Sequence, residues 1–153
     1  MSVEIKMLPA MRLAAVQHTG PYNQIGSAFR ELGRIAGPAG LFAHPGAMMM
    51  GLYKDDPATT PASQLRSAAG VVIPEGVTIP SGLVEERVAA GRFACGLHVG
   101  SYEGLSDAWA RFKNELRTSD HQHRPATSYE IYLNDPSRVQ PADLKTEICI
   151  PVK

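Results

Sequence analysis

RLAAVQHTGPYNQIGSAFREL (residues 12–32) and RFACGLHVGSYEGLSDAWARF (residues 92–112) are two versions of one phrase. At a constant offset of 80 they pair Arg12 with Arg92, His18 with His98, Gly20 with Gly100, Tyr22 with Tyr102, Ala28 with Ala108 and Phe29 with Trp109. Further out, at an offset of 79, GLYKDDP (51–57) faces EIYLNDP (130–136), and QLRSAAGVVI (64–73) more faintly faces ADLKTEICIPV (142–152). Upstream, VEIKM (3–7) resembles VEERV (84–88). A repeat of this length is the signature of a duplicated supersecondary unit. The halves are about 1–74 and 83–153, and the Pro/Gly-rich stretch IPEGVTIPSG (73–82) is the expected joint.

Each half reads as strand, helix, strand, strand. A small apolar run (Leu13 to Val16; Phe93 to Leu97) ends at a Gly and an aromatic, after which the apolar period changes from two to 3.6. Ile25, Ala28, Phe29, Leu32 and Ile35 mark one helix, stopped by Gly37-Pro38; Leu105, Ala108, Trp109, Phe112 and Leu116 mark the other. Two strands follow in each half, residues 48–53 and 65–73 or 128–133 and 147–152, joined at Asp56-Pro57 or Asp135-Pro136. The expected fold is α+β, a tandem duplication of a strand-helix-strand-strand (SHS2) module with pseudo-twofold symmetry. One helix shields only one face of its sheet, so the two bare faces are expected to meet around a central ligand cleft.

With 153 residues the chain suffices for a single domain of two small halves. Apolar residues make up 44% and charged residues 20%, so a buried core is expected. Fifteen basic and fifteen acidic side chains cancel, without a Lys/Arg block to release counterions from nucleic acid. No direct nucleic-acid binding is expected. With neither a long apolar stretch nor a signal-peptide pattern, a cytoplasmic protein without membrane contact is expected. Cys95 and Cys149 read as small core residues with no assigned role, and His121 and His123 as solvated; no metal or cofactor is called for. His18 and His98 read as makers of local hydrogen bonds at strand ends, Gly20 and Gly100 as suppliers of unusual backbone angles, and Tyr22 and Tyr102 as packing on those corners.

Function should show where the copies differ. Gly51 in the first copy is matched by Glu130 in the second, while Tyr53 and Tyr132 agree. Strand alternation puts Glu130 and Tyr132 on one face and Tyr129, Ile131 and Leu133 on the other. The apolar set is the natural partner of the helix, so Glu130 and Tyr132 are expected to face away from it, as are Met49, Gly51 and Tyr53. That face would offer one carboxylate, two phenols, a thioether and the room left by a glycine. A carboxylate among rings carries a desolvation cost that a cationic ligand offsets, with cation-π attraction of roughly 0.5 to 2 kcal/mol per ring.

The ordered set HTGPY (18–22), GLYKDDP, Leu65-Arg66, GRFACGLHVGSY (91–102), YEIYLNDP (129–136) and TEICIPV (146–152) resembles the GyrI-like small-molecule-binding family. The resemblance spans essentially the whole chain and implies the fold of AraC-type effector-binding and multidrug-recognition domains, a family that includes a stand-alone DNA gyrase inhibitor. It implies a ligand-contacting acid in the second copy's E-x-Y strand, which is Glu130. Tyr53, Tyr132 and Trp109 are the pocket-wall candidates, with Trp109 equally readable as core. Ser101 departs from the Pro21 of GPY. Met1 lies two residues before the first strand, which leaves no room for a preceding helix-turn-helix and favours the free-standing branch.

The expected role is that of a stand-alone binding protein for hydrophobic, cationic or planar aromatic molecules, at Glu130, Tyr132, Tyr53, Met49, Gly51 and Trp109. The resemblance also allows a hydrolase of cyclopropane-containing alkylating natural products, a toxin-resistance activity with Glu130 as acid/base and Tyr53 or Tyr132 as donor. It equally allows DNA gyrase as a protein partner. The residues show neither a nucleophile dyad nor a metal site, so the enzymatic reading is the weaker one. The identity of the ligand depends on segments 37–47 and 118–127, whose paths the sequence does not determine.

Overall fold

The computed structural model describes residues 2–153. In chain order its elements are β1 (Glu4–Leu8), β2 (Met11–Thr19), α1 (Gly26–Ala36), β3 (Met49–Tyr53), β4 (Arg66–Val72), β5 (Val84–Val88), β6 (Gly91–Val99), α2 (Leu105–Arg117), β7 (Ser128–Tyr132) and β8 (Lys145–Pro151). The fold is α+β, with antiparallel strands and two helices. No described helix is long and apolar enough to cross a membrane.

The chain divides into two compact units. Ala10–Ala89 contains a four-stranded antiparallel sheet in the order β3-β4-β2-β5, with α1 on one face. Ala90–Lys153, together with the segment ending at Pro9, contains a second such sheet in the order β1-β6-β8-β7, with α2 on one face. Within each unit the order strand, helix, strand, strand recurs, and the helices fall within a residue or two of the predicted spans.

The compact units are not the same partition as the sequence halves 1–74 and 83–153. β1 belongs with β6 and β5 with β2, although β1 precedes β2 and β5 precedes β6 in sequence. The links Pro9-Ala10 and Ala89-Ala90 explain why neither short strand folds back on its successor. A two-residue hairpin loop needs positive φ at its centre, usually from Gly or Asn, and neither link contains one.

In Ala10–Ala89, the stripe Ala28, Leu32 and Ala36 of α1 packs on Ala14 of β2 and on Ala69 and Val71 of β4. In the other unit Ala108 and Phe112 of α2 pack on Ala94 of β6 and on Ile148 and Ile150 of β8. Phe112 is fully buried, and truncating such a side chain to Ala costs about 3–5 kcal/mol.

The repeated corner is a backbone device in both copies. Gly20 and Gly100 have φ of 131° and 141°, a region that a side chain disfavours, so each strand can turn sharply into its helix there. Their N–H groups donate to the Leu65 and Leu144 carbonyls, each at 2.8 Å. His18 and His98 Nε2 lie 3.3 and 3.0 Å from the carbonyl oxygens of Pro21 and Ser101, the local hydrogen bonds expected of them. The Asp-Pro turns are also duplicated: Asp56 Oδ1 accepts from Ala58 N–H and Asp135 Oδ1 from Ser137 N–H.

Candidate functional site

β7 places Glu130 directly across from Ile148 of β8, and Ile148 belongs to the core under α2. Glu130 therefore lies on the helix-covered face. The expectation that it faces away from the helix is corrected: alternation along the strand holds, but the assignment of its faces is reversed. Both faces of β7 are buried, with Tyr129 and Ile131 on one and Glu130 on the other, so apolarity alone did not identify the helix side. The same correction applies to the first copy. Met49 packs in the core beneath α1, and Gly51 pairs with Ala69 of that core, so Met49, Gly51 and Tyr53 share the α1 face.

Glu130 is 4% exposed. Its Oε1 accepts the indole N–H of Trp109 at 2.8 Å, and its Oε2 accepts the hydroxyl of Tyr132 at 3.0 Å. Two neutral donors from two elements thus fix the carboxylate, and hydrogen bonds to an ionised acceptor are the stronger kind. The Tyr132 ring meets Tyr102 edge-on, with centroids 5.5 Å apart and planes at 61°. Burial raises the Tyr102 phenol above its ordinary value, and the negative charges of Asp135 and Glu130 add to the effect. Lys113 Nζ stands 5.7 Å from the Trp109 ring centre, a cation over an indole face. Thr146, cross-strand partner of Tyr132, is fully buried with a hydroxyl that has no partner among the described residues.

In the first copy Tyr22 and Tyr53 repeat the edge-on pair at 4.9 Å and 67°. Their polar contacts differ, because Tyr22 donates its hydroxyl to the Asp55 carbonyl at 2.7 Å. Phe29 and Gly51 stand where the second copy has Trp109 and Glu130. Donor and acceptor therefore occur in the same copy, and the two differences noted in the sequence prove to be one hydrogen bond.

Of the predicted site residues, Glu130, Tyr132 and Trp109 come together; Trp109 is both a packing residue beside the α2 core and a ligand of the carboxylate. Met49, Gly51 and Tyr53 belong to the other compact unit, at the equivalent strand. Sequence reasoning passed over Thr146, which lacked any asymmetry to mark it, and placed Tyr102 only at the corner.

A family model described as the GyrI-like small molecule binding domain matches residues 1–153. The chain belongs to that family. A DNA gyrase inhibitor of Klebsiella pneumoniae is 32% identical over 95 residues, 60% of this chain and 60% of that protein. DNA gyrase inhibitor 2 of Dickeya dadantii is 27% identical over 141 residues, 90% of this chain and 88% of that one. Three solved structures share the fold of this GyrI-like chain. The EcmrR C-terminal domain does so with a TM-score of 0.79 at 16% identity, covering 99% of this chain and 97% of that one. SAV2435 bound to tetraphenylphosphonium gives 0.75 at 13% identity, covering 100% and 94%. A hydrolase of Listeria innocua gives 0.67 at 16% identity, covering 99% and 91%.

Proposed function

We propose that this GyrI-like chain is a receptor for hydrophobic cations, with Glu130 as the charge-reading group. The observation that carries the reading is the buried Glu130 carboxylate, oriented by Trp109 and Tyr132 and absent from the equivalent position of the first copy. A buried carboxylate has a large desolvation cost, and a lipophilic cation offsets it by charge while its apolar surface packs on the rings. Thr146 provides a further buried polar atom on the same face. The bound tetraphenylphosphonium of SAV2435 is a molecule of this kind, which supports the choice of ligand class.

Calorimetric titration with tetraphenylphosphonium tests the reading. The wild-type protein is expected to bind, and Glu130→Gln, which keeps the shape and removes the charge, to weaken binding at least tenfold (about 1.4 kcal/mol). Equal affinity in the two proteins rules out Glu130 as the charge reader.

The names of the gyrase-inhibitor relatives support a second reading, in which DNA gyrase is a protein partner. Gyrase supercoiling that is unchanged by equimolar protein, with or without tetraphenylphosphonium, would remove it.

A further inference from the structure

Cys95 of β6 and Cys149 of β8 are direct cross-strand partners, both buried and reduced, with sulfurs 3.8 Å apart. Glu147, two residues before Cys149 and therefore on the same face, brings its Oε1 to 3.7 Å from the Cys149 sulfur. The three ligand atoms lie within 4.8 Å of one another. We propose that Cys95, Cys149 and Glu147 form a binding site for a thiophilic divalent ion of the zinc class.

Geometry supports this choice. A tetrahedral zinc with Zn–S bonds of about 2.3 Å and a Zn–O bond of about 2.1 Å places its two sulfurs about 3.8 Å apart and each sulfur about 3.6 Å from the oxygen. The sulfur pair and the Cys149–Glu147 pair already stand at those separations. Charge agrees as well: two thiolates and a carboxylate are balanced by the ion together with Lys6, whose ammonium holds Glu147 Oε2 at 2.8 Å and leaves Oε1 turned to the sulfur. As the ion enters, each thiol releases its proton to solvent and each sulfur lone pair becomes a bond to the metal.

An independent observation comes from the next strand. Tyr129 of β7 is the cross-strand partner of Cys149, is fully buried, and its hydroxyl has no hydrogen-bond partner among the described residues. A buried phenol without a partner is costly, and a water in the fourth coordination position would supply one. The row Cys95–Cys149–Tyr129 has a counterpart in the first copy, Ala15–Gly70–Met50, with Ala68 at the position of Glu147. None of those side chains is a hard or thiolate ligand, so the cluster is specific to the second copy. It lies on the opposite sheet face from Glu130, whose cross-strand partner is Ile148 rather than Cys149. The two sites are therefore separate, and this inference does not rest on the cation-binding reading.

The test uses full-length protein, freed of metal with chelator and reduced under anaerobic conditions until two thiols per chain are counted. It is then titrated with Co²⁺ as a visible probe and with Zn²⁺ in competition. The expected result is one ion per chain with a thiolate-to-cobalt charge-transfer band, displaced by Zn²⁺. Cys95→Ala and Cys149→Ala should each abolish the band, and Glu147→Gln should weaken binding at least tenfold, with circular dichroism confirming that each variant is folded. Should the Ala variants not fold, alkylation of the wild-type thiols gives the same readout. Silent cobalt spectra with both thiols counted, or absorption that survives loss of the cysteines and so comes from exposed histidines, would overturn the site.

Discussion

Trp109 and Glu130, 21 residues apart on α2 and β7, are joined by an indole N–H to carboxylate hydrogen bond of 2.8 Å. In the first copy the equivalent residues are Phe29 and Gly51, a pair that can make no such bond. The second copy thus carries both halves of one interaction.

That pairing predicts coupled energetics. Trp109→Phe keeps most of the packing and removes the donor, while Glu130→Leu keeps much of the volume and removes the acceptor. Each alone should destabilise the protein by about 1–3 kcal/mol, the cost of losing a hydrogen bond to a charged group. The double variant should fall short of the sum by about 1 kcal/mol or more, because the second change has no bond left to break. Urea denaturation of the four proteins gives the coupling, and strictly additive losses would show that the bond has no net role in stability.

The strands and helices were legible in the sequence because glycine corners, helix stripes and Asp-Pro turns are local features that recur at a fixed offset. Three features were not. The helix-covered face of β7 could not be read, since Tyr129 and Ile131 look like core residues and are core residues, yet the helix packs on the other side with Glu130. The pairing of β1 with β6 and of β5 with β2 is a long-range choice, made where the links lack hairpin chemistry, and periodicity within a strand carries no information about it. Cys95 and Cys149 read as small core residues because each lies in an apolar, strand-like run, and only the β6–β8 register reveals them as neighbours.

Acid stability should depend on Asp55. Its carboxylate accepts from Arg66 Nε and Nη2 at 3.0 and 2.9 Å and from the Arg66 backbone N–H at 2.8 Å, and the guanidinium hydrogen bonds hold its pKa below the usual carboxylate range. A depressed folded-state pKa contributes stability that is complete above the unfolded value of about 3.9 and is lost as the pH falls through the depressed value. Asn134 occupies the equivalent place in the second copy and caps Lys145 N–H in the same way, so Asp55→Asn is structurally tolerated. The variant should melt lower than wild type at pH 7, and the gap should close below about pH 4. Arg66 is largely exposed, so added salt should narrow the gap as well. A difference between the two melting curves that stays constant from neutral pH to pH 2.5 would exclude this role.

Lys54 and Glu86 form the most enclosed ion pair of the unit Ala10–Ala89, with Nζ 2.5 and 2.7 Å from the two carboxylate oxygens and Glu86 only 8% exposed. The pair joins the residue after β3 to the edge strand β5, whose strand partner in that unit is β2. Lys54→Met retains the aliphatic stem but leaves a buried carboxylate without this cation, and should cost about 3 kcal/mol. Replacing both residues, Lys54→Met with Glu86→Leu, removes the desolvation cost together with the attraction and should recover most of the loss. Urea midpoints at equal m-value measure both effects, and hydrogen exchange in Val84–Val88 shows whether the loss is local to β5. A single variant within about 0.5 kcal/mol of wild type would place the pair among surface bridges of negligible worth.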